Sequence, residues 1–183
     1  MSALILPFEE FRPRIAPSAF VAQTAVVIGD VEIGEDCGIW YGCVLRGDGN
    51  IIRIGARTNI QDGTIIHVNH QEDGGRGAHG VACYIGADVT VGHLALIHAC
   101  TLEDGSFVGM KACVMDGAVV ETGGMVAAGA LVTPGKRVRK GELWGGSPAR
   151  LMRQLTPAET AMFGWTVEHY VERARAYRRI ASG

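Results

Sequence analysis

An aliphatic residue recurs every six positions along most of the chain: Val21, Val27, Ile33, Ile39 and Leu45, then Ile54, Ile60 and Ile66, then Ile85, Val91 and Ile97. The series runs on through Leu102, Val108, Val114, Val120, Val126, Val132 and Val138, with one five-residue step between Ile97 and Leu102. Glycine follows several of these markers (Gly34, Gly55, Gly86, Gly92, Gly109), and small residues lie four positions on (Ala25, Cys37, Cys43, Thr58, Thr64, Ala95, Ala112). A period of six fits neither the 3.6-residue helix nor the two-residue strand; it belongs to parallel β-helices. Three hexads make one triangular coil, so these markers predict about six coils.

The regular hexapeptide version points to an all-β solenoid of the left-handed kind, an exception to the right-handed crossover rule. Beyond the repeats the pattern changes. Residues 144–150 read WGGSPAR, a glycine and proline stretch expected to end the coil. Thr156-Pro157-Ala158-Glu159 then supplies an N-cap, a first-turn proline and the third-position glutamate of a capping box. Phe163, Val167, Tyr170, Val171, Ala174 and Tyr177 fall on one face of the helix that follows. The expectation is a single domain, residues 1–183, with a left-handed β-helix over about 12–150 and a C-terminal α-helix over 156–181 packed along it. Arg173, Arg175, Arg178 and Arg179 read as a solvated basic face that complements the helix C-terminal dipole.

Composition changes this picture little. Its 26 glycines and 7% aromatic content suit tight corners and a narrow prism. A net charge of −2 argues against a nucleic-acid partner. No run reaches the roughly 18 apolar residues of a membrane span, and the start, MSALILPFEEF, has no basic n-region, so the expected location is cytoplasmic. The five cysteines match no paired metal motif, and Cys37 and Cys43 fall at inward positions, where a thiol acts as a compact hydrophobe.

The coil count gives the histidines their meaning. His67 follows the marker Ile66, and His98 follows Ile97, one full coil later if residues 68–84 bulge out as a loop. The two should stack on one face about 4.8 Å apart, with Arg46 below them. His93 lies one hexad earlier, on a neighbouring corner or face, stacked above Asp62, while Gln61 stacks above Trp40. A metal held by His67 and His98 would reach His93 only on a second chain. Imidazole nitrogens suit zinc, cobalt or iron, and three of them leave an open position of the catalytic kind.

Residues 27–34 (VIGDVEIG), 39–48 (IWYGCVLRGD), 52–67 (IRIGARTNIQDGTIIH) and 89–102 (VTVGHLALIHACTL) resemble the gamma-class carbonic anhydrase family, as do GSPAR and the terminal helix. The resemblance implies a homotrimer of left-handed β-helices that reversibly hydrates carbon dioxide to bicarbonate, with a divalent metal, first of all zinc, bound at the subunit interface by His67, His98 and the next subunit's counterpart of His93. It further implies that Arg46 and Asp48 form inter-subunit ion pairs, that Gln61 orients the metal-bound hydroxide, that Asp62 is a polar interface residue, and that Tyr170 stands near the metal.

Two departures stand out. Gly49 replaces a glutamate of the best-known members, and the excursion VNHQEDGGRGAHGVACY lacks their acidic shuttle loop; Glu72, Asp73, His70 and His79 are the candidate proton carriers. Two rival readings share the prism: a metal-binding accessory or scaffold protein with little hydration activity, and a hexapeptide-repeat acyl-CoA-dependent acyltransferase.

Overall fold

The computed structural model describes residues 3–70 and 81–181. The six-residue period becomes a three-faced parallel β-helix. Ile15, Ile33, Ile54, Ile85, Leu102, Val120 and Val138 stack in register up the first face. Val21, Ile39, Ile60, Val91, Val108, Val126 and Trp144 stack up the second, and Ile5, Val27, Leu45, Ile66, Ile97, Val114 and Val132 up the third. The solenoid is left-handed and has about seven turns.

It is one turn longer than the aliphatic markers counted above, because positions at both ends complete it. Ile15 keeps the six-residue step before Val21, Trp144 keeps it after Val138 but is aromatic, and the strand Leu4–Leu6 lies outside the period. The parallel coil ends in the WGGSPAR segment. Strands Glu142–Gly146 and Ala149–Gln154 pair antiparallel, so the expected end of the coil is a hairpin turn.

Core packing follows directly from the period. Ile33, Ile39, Leu45, Ile60, Ile66, Ile97 and Leu102, drawn from all three columns, are all but fully buried and form one continuous aliphatic core. The small positions lie inside too: Cys37 and Cys43 are buried, with thiols donating to the carbonyls of Gly55 at 3.0 Å and Gln61 at 3.1 Å. Burial pushes both thiols up to about 11, so they serve as packing groups at neutral pH. All five cysteines are free.

Two strands turn a corner without breaking. Val26–Ile33 and Val44–Ile54 run from the third face into the first, with a register shift between Gly29 and Val31. The extra residues of the second strand carry Asp48 and Gly49 outward from the corner. Gly29 permits this close passage: at φ 78 a Cβ there would meet the Gly47 carbonyl at 2.4 Å.

The helix Pro157–Ala181 covers the second face. Its start is the expected capping box: the Thr156 N–H donates to Glu159 Oε2 at 2.8 Å, and the Glu159 N–H donates to Thr156 Oγ1 at 3.3 Å. Phe163 stacks on Phe107 at 5.0 Å, and Val167, Val171 and Ala174 are buried. Tyr170 and Tyr177 pack edge-on against Trp40. The basic tail is more than a solvated face: Arg175 holds Asp36 with both nitrogens at 2.8 and 3.2 Å, and Arg178 donates to the Pro17 carbonyl at 2.7 Å. No helix among the described residues is long and apolar enough to cross a membrane.

Candidate metal centre

Strands Val44–Ile54, Ile65–His67 and Leu96–His98 place Arg46, His67 and His98 in register, one above the other, as the coil count requires. Parallel pairing brings the two imidazoles together: His67 Nδ1 lies 3.2 Å from His98 Nε2, and the ring centroids are 5.2 Å apart. Each ring is held by a carboxylate. His98 Nδ1 meets Asp116 Oδ1 at 2.6 Å, and Asn69 Nδ2 donates to the other Asp116 oxygen at 2.7 Å. His67 Nε2 meets Asp48 Oδ1 at 3.1 Å, and Arg46 holds Asp48 Oδ2.

The electrostatics favour ligands ready at neutral pH. Burial lowers the His67 pKa, outweighing the opposite pull of Asp48, so its ring is neutral. Burial works against the Asp48 anion, yet the hydrogen bonds from Arg46 and His67 hold its carboxyl below the usual carboxylate range.

A second group lies across the third face. His93 sits in the corner between strand Thr90–Val91 and strand Leu96–His98, and its Nδ1 meets Asp62 Oδ2 at 2.9 Å. The other Asp62 oxygen accepts from the Tyr41 N–H at 3.3 Å. Asp62 is thus the carboxylate that aims His93, a more specific place than a general polar interface residue. Gln61, buried, spends its amide N–H on Asn59 Oδ1 at 3.0 Å, and Asn59 donates to Thr90 Oγ1 at 2.9 Å. Tyr170 is half-buried beside Trp40. Its hydroxyl is pushed up first by burial and then by the charge of Asp62, which places it with this second group.

The expected site residues therefore divide. Arg46, Asp48, His67 and His98 occupy one edge of the third face, and Gln61, Asp62, His93 and Tyr170 belong to the other. The strand between the edges spans about three residues, roughly 10 Å. Within one chain His93 is not brought to His67 and His98. Arg46 and Asp48, expected to pair between subunits, pair with each other in the single chain.

The donor chemistry fits a metal. A metal-binding histidine gives its other ring nitrogen to a carboxylate or carbonyl, which fixes the tautomer and aims the free nitrogen outward. His98 with Asp116 and His93 with Asp62 have this arrangement, which turns the His98 Nε2 toward His67 Nδ1 at 3.2 Å. Asp116 and Asn69 were not among the sequence candidates. The signal was present, since the coil above His98 carries Met115 and Asp116, but an aspartate before a corner glycine reads first as a turn residue. Of the candidate proton carriers, His70 lies beside His67 with ring centroids 6.1 Å apart. Glu72, Asp73 and His79 lie outside the described residues.

No protein-family model matches the chain. The gamma carbonic anhydrase 2, mitochondrial, of Arabidopsis thaliana is 48% identical over 165 residues, 90% of this chain and 58% of that protein. The chain thus spans little more than half the length of this curated relative. A carbonic anhydrase of Geobacillus kaustophilus is 37% identical over 182 residues, 97% of this chain and 92% of that protein. Among solved structures, a hexapeptide transferase family protein from Anaplasma phagocytophilum superposes with a TM-score of 0.87 at 44% identity, covering 97% of this chain and 99% of that one. With near full-length similarity of this order and the same coil, the chain belongs to the gamma carbonic anhydrase family.

Proposed function

We propose that the protein is a homotrimer that binds a divalent metal, most simply zinc, between His67 and His98 of one subunit and His93 of the partner subunit, and that it reversibly hydrates carbon dioxide to bicarbonate. The observation that carries this reading is the division just described. Three histidines backed by carboxylates lie on opposite edges of one uncovered, apolar face, and three such faces turned inward about a threefold axis bring unlike edges together. Relatives named as carbonic anhydrases support the chemistry.

When bound, the metal supplies an acidified water for attack on the carbon. The chain's own residues do the rest. Asp116 and Asp62 hold their imidazoles in the liganding tautomer. One N–H of the Gln61 amide is held by Asn59, and the amide so fixed can align an attacking lone pair. Tyr170 closes the same edge above Trp40 and limits solvent. A proton must then leave, and a diffusible imidazole-type buffer can accept it where an internal base is poorly placed.

The scaffold reading keeps the same ligands and differs only in rate; the acyltransferase reading needs no paired imidazoles. One experiment separates all three. His67→Ala and His93→Ala proteins are each assayed by stopped-flow hydration at known metal content, with zinc and with anaerobic iron, and then mixed as co-refolded trimers. Each alone should be inactive, whereas in random mixed trimers about a quarter of the sites are complete and activity should return in that proportion. Failure to regain activity on mixing, in variants that remain trimeric, would show that the histidines do not meet across subunits. A metal-loaded wild type without hydration would leave the scaffold reading.

A further inference from the structure

A second set of ligating side chains converges within a single subunit. Asp48, His67 and His70 each bring one donor atom to within 4.8 Å of the other two. His67 Nε2 already faces Asp48 Oδ1 at 3.1 Å, and His70 stands where the chain leaves the third face, exposed at the mouth of the cluster. The backbone makes room for it in a particular way. A Cβ at Gly49 would lie 2.2 Å from both Cε1 and Nδ1 of His70, far inside any contact distance. The His70 imidazole thus fills the space that a side chain at position 49 would need.

We propose that Asp48, His67 and His70 form a divalent-metal position internal to one subunit, which takes up the cation before the shared three-histidine site closes on it. Two imidazoles and one carboxylate make a donor set suited to zinc, with a coordination position left for water. Arg46 holds the far oxygen of Asp48, which leaves Oδ1 turned toward His67. His67 is common to both positions, so an ion held here is handed over by exchanging Asp48 and His70 for His98 and the histidine of the partner subunit. From the proposed function this takes only the placement of His67 in the shared site.

Cobalt(II), whose visible absorption reports its ligands, tests the idea in the His93→Ala, His98→Ala double variant, which keeps this donor set and a single imidazole of the shared site. The expected result is about one cobalt per subunit. Adding His70→Ala should weaken that binding about tenfold or more. Gly49→Ala should do the same without removing a donor, because its Cβ displaces the His70 ring. Retained trimer size and circular dichroism would exclude misfolding as the cause. The proposal is overturned if the double variant binds no cobalt, or if neither His70→Ala nor Gly49→Ala changes its affinity. Hydration by the mixed trimers above reads the shared site separately, so either idea can fail alone.

Discussion

The first and third faces of the prism are built on the same backbone and the same inward columns, yet their outer surfaces differ completely. On the first face the outward residues are Arg14, Glu32, Arg53, Tyr84, Thr101, Val119 and Arg137, laced by ion pairs such as Arg14 to Glu32 at 2.8 Å and Arg53 to Asp30 at 2.8 Å. On the third they are Val26, Val44, Ile65, Leu96, Cys113 and Leu131, an unbroken apolar row with Ile65 at 45% and Leu96 at 38% exposure. Inward residues decide that the chain coils; outward ones decide what each face meets. A continuous apolar strip flanked by polar edges is what a protein surface carries where another surface covers it.

Breaking the third face should therefore have the largest effect. Ile65→Asp would place three carboxylates around one axis, where desolvation and mutual repulsion cost several kcal/mol. The expected outcome is a folded monomer by light scattering that has lost hydration although His67 and His98 are intact. Thr101→Asp, the matched change on the first face, should leave both assembly and activity as they were. A trimer that survives Ile65→Asp would mean that the apolar row is not the interface.

The two faces also show how far the sequence could be read. Inward positions were legible because burial forces one side-chain class at one spacing, so the columns through Ile33, Ile60 and Ile66 follow from counting alone. Counting likewise stacked His67 on His98 and His93 on Asp62. It failed where spacing carries no information. Asp116 lies one coil above His98, one place past the residue that stacks on it, so counting brings it near but does not give its bond to His98 Nδ1. Gly49 and His70 meet although each lies where the chain departs from the regular hexads, at positions that no repeat dictates. Trp144 closes a column in which every other member is aliphatic, and so lay outside the pattern.

A smaller effect should come from the carboxylates that aim the ligands. Asp116→Ala leaves the apolar row and all three imidazoles in place but frees the His98 ring to rotate. Removing such an outer partner typically costs 10- to 100-fold, on the order of 10 to 100, in metal affinity. Competition with a chelator of known affinity measures this directly. Asp116→Asn, which keeps an oxygen acceptor, should recover part of the loss; equal losses for both variants would mean that the charge, and not the orientation of the ring, is what His98 needs.

The smallest effect is expected on the second face, the one that the chain covers for itself. There the helix Pro157–Ala181 is the covering surface, and its docking begins at the Thr156 cap, with Arg153 holding Glu159 through two contacts at 2.8 and 2.7 Å. Thr156→Ala should cost about 1 kcal/mol, a melting shift of roughly 2–4 °C for a chain of this size. Neither trimer size nor metal content should change, because the helix touches neither edge through its first turn. The hydrogen bonds of Arg153 and Thr156 lower the Glu159 pKa to about 2. A depressed carboxyl contributes stability above its unfolded value, about 4.5, and loses it as pH falls toward the folded one. The melting difference between Thr156→Ala and wild type should therefore narrow below about pH 4.5, down to the pH-independent part that the Thr156 hydroxyl contributes by accepting from the Glu159 N–H. A difference that stays constant with pH would show that the cap acts through the threonine hydroxyl alone, and that the glutamate is an ornament of the second face and not part of what holds the helix on it.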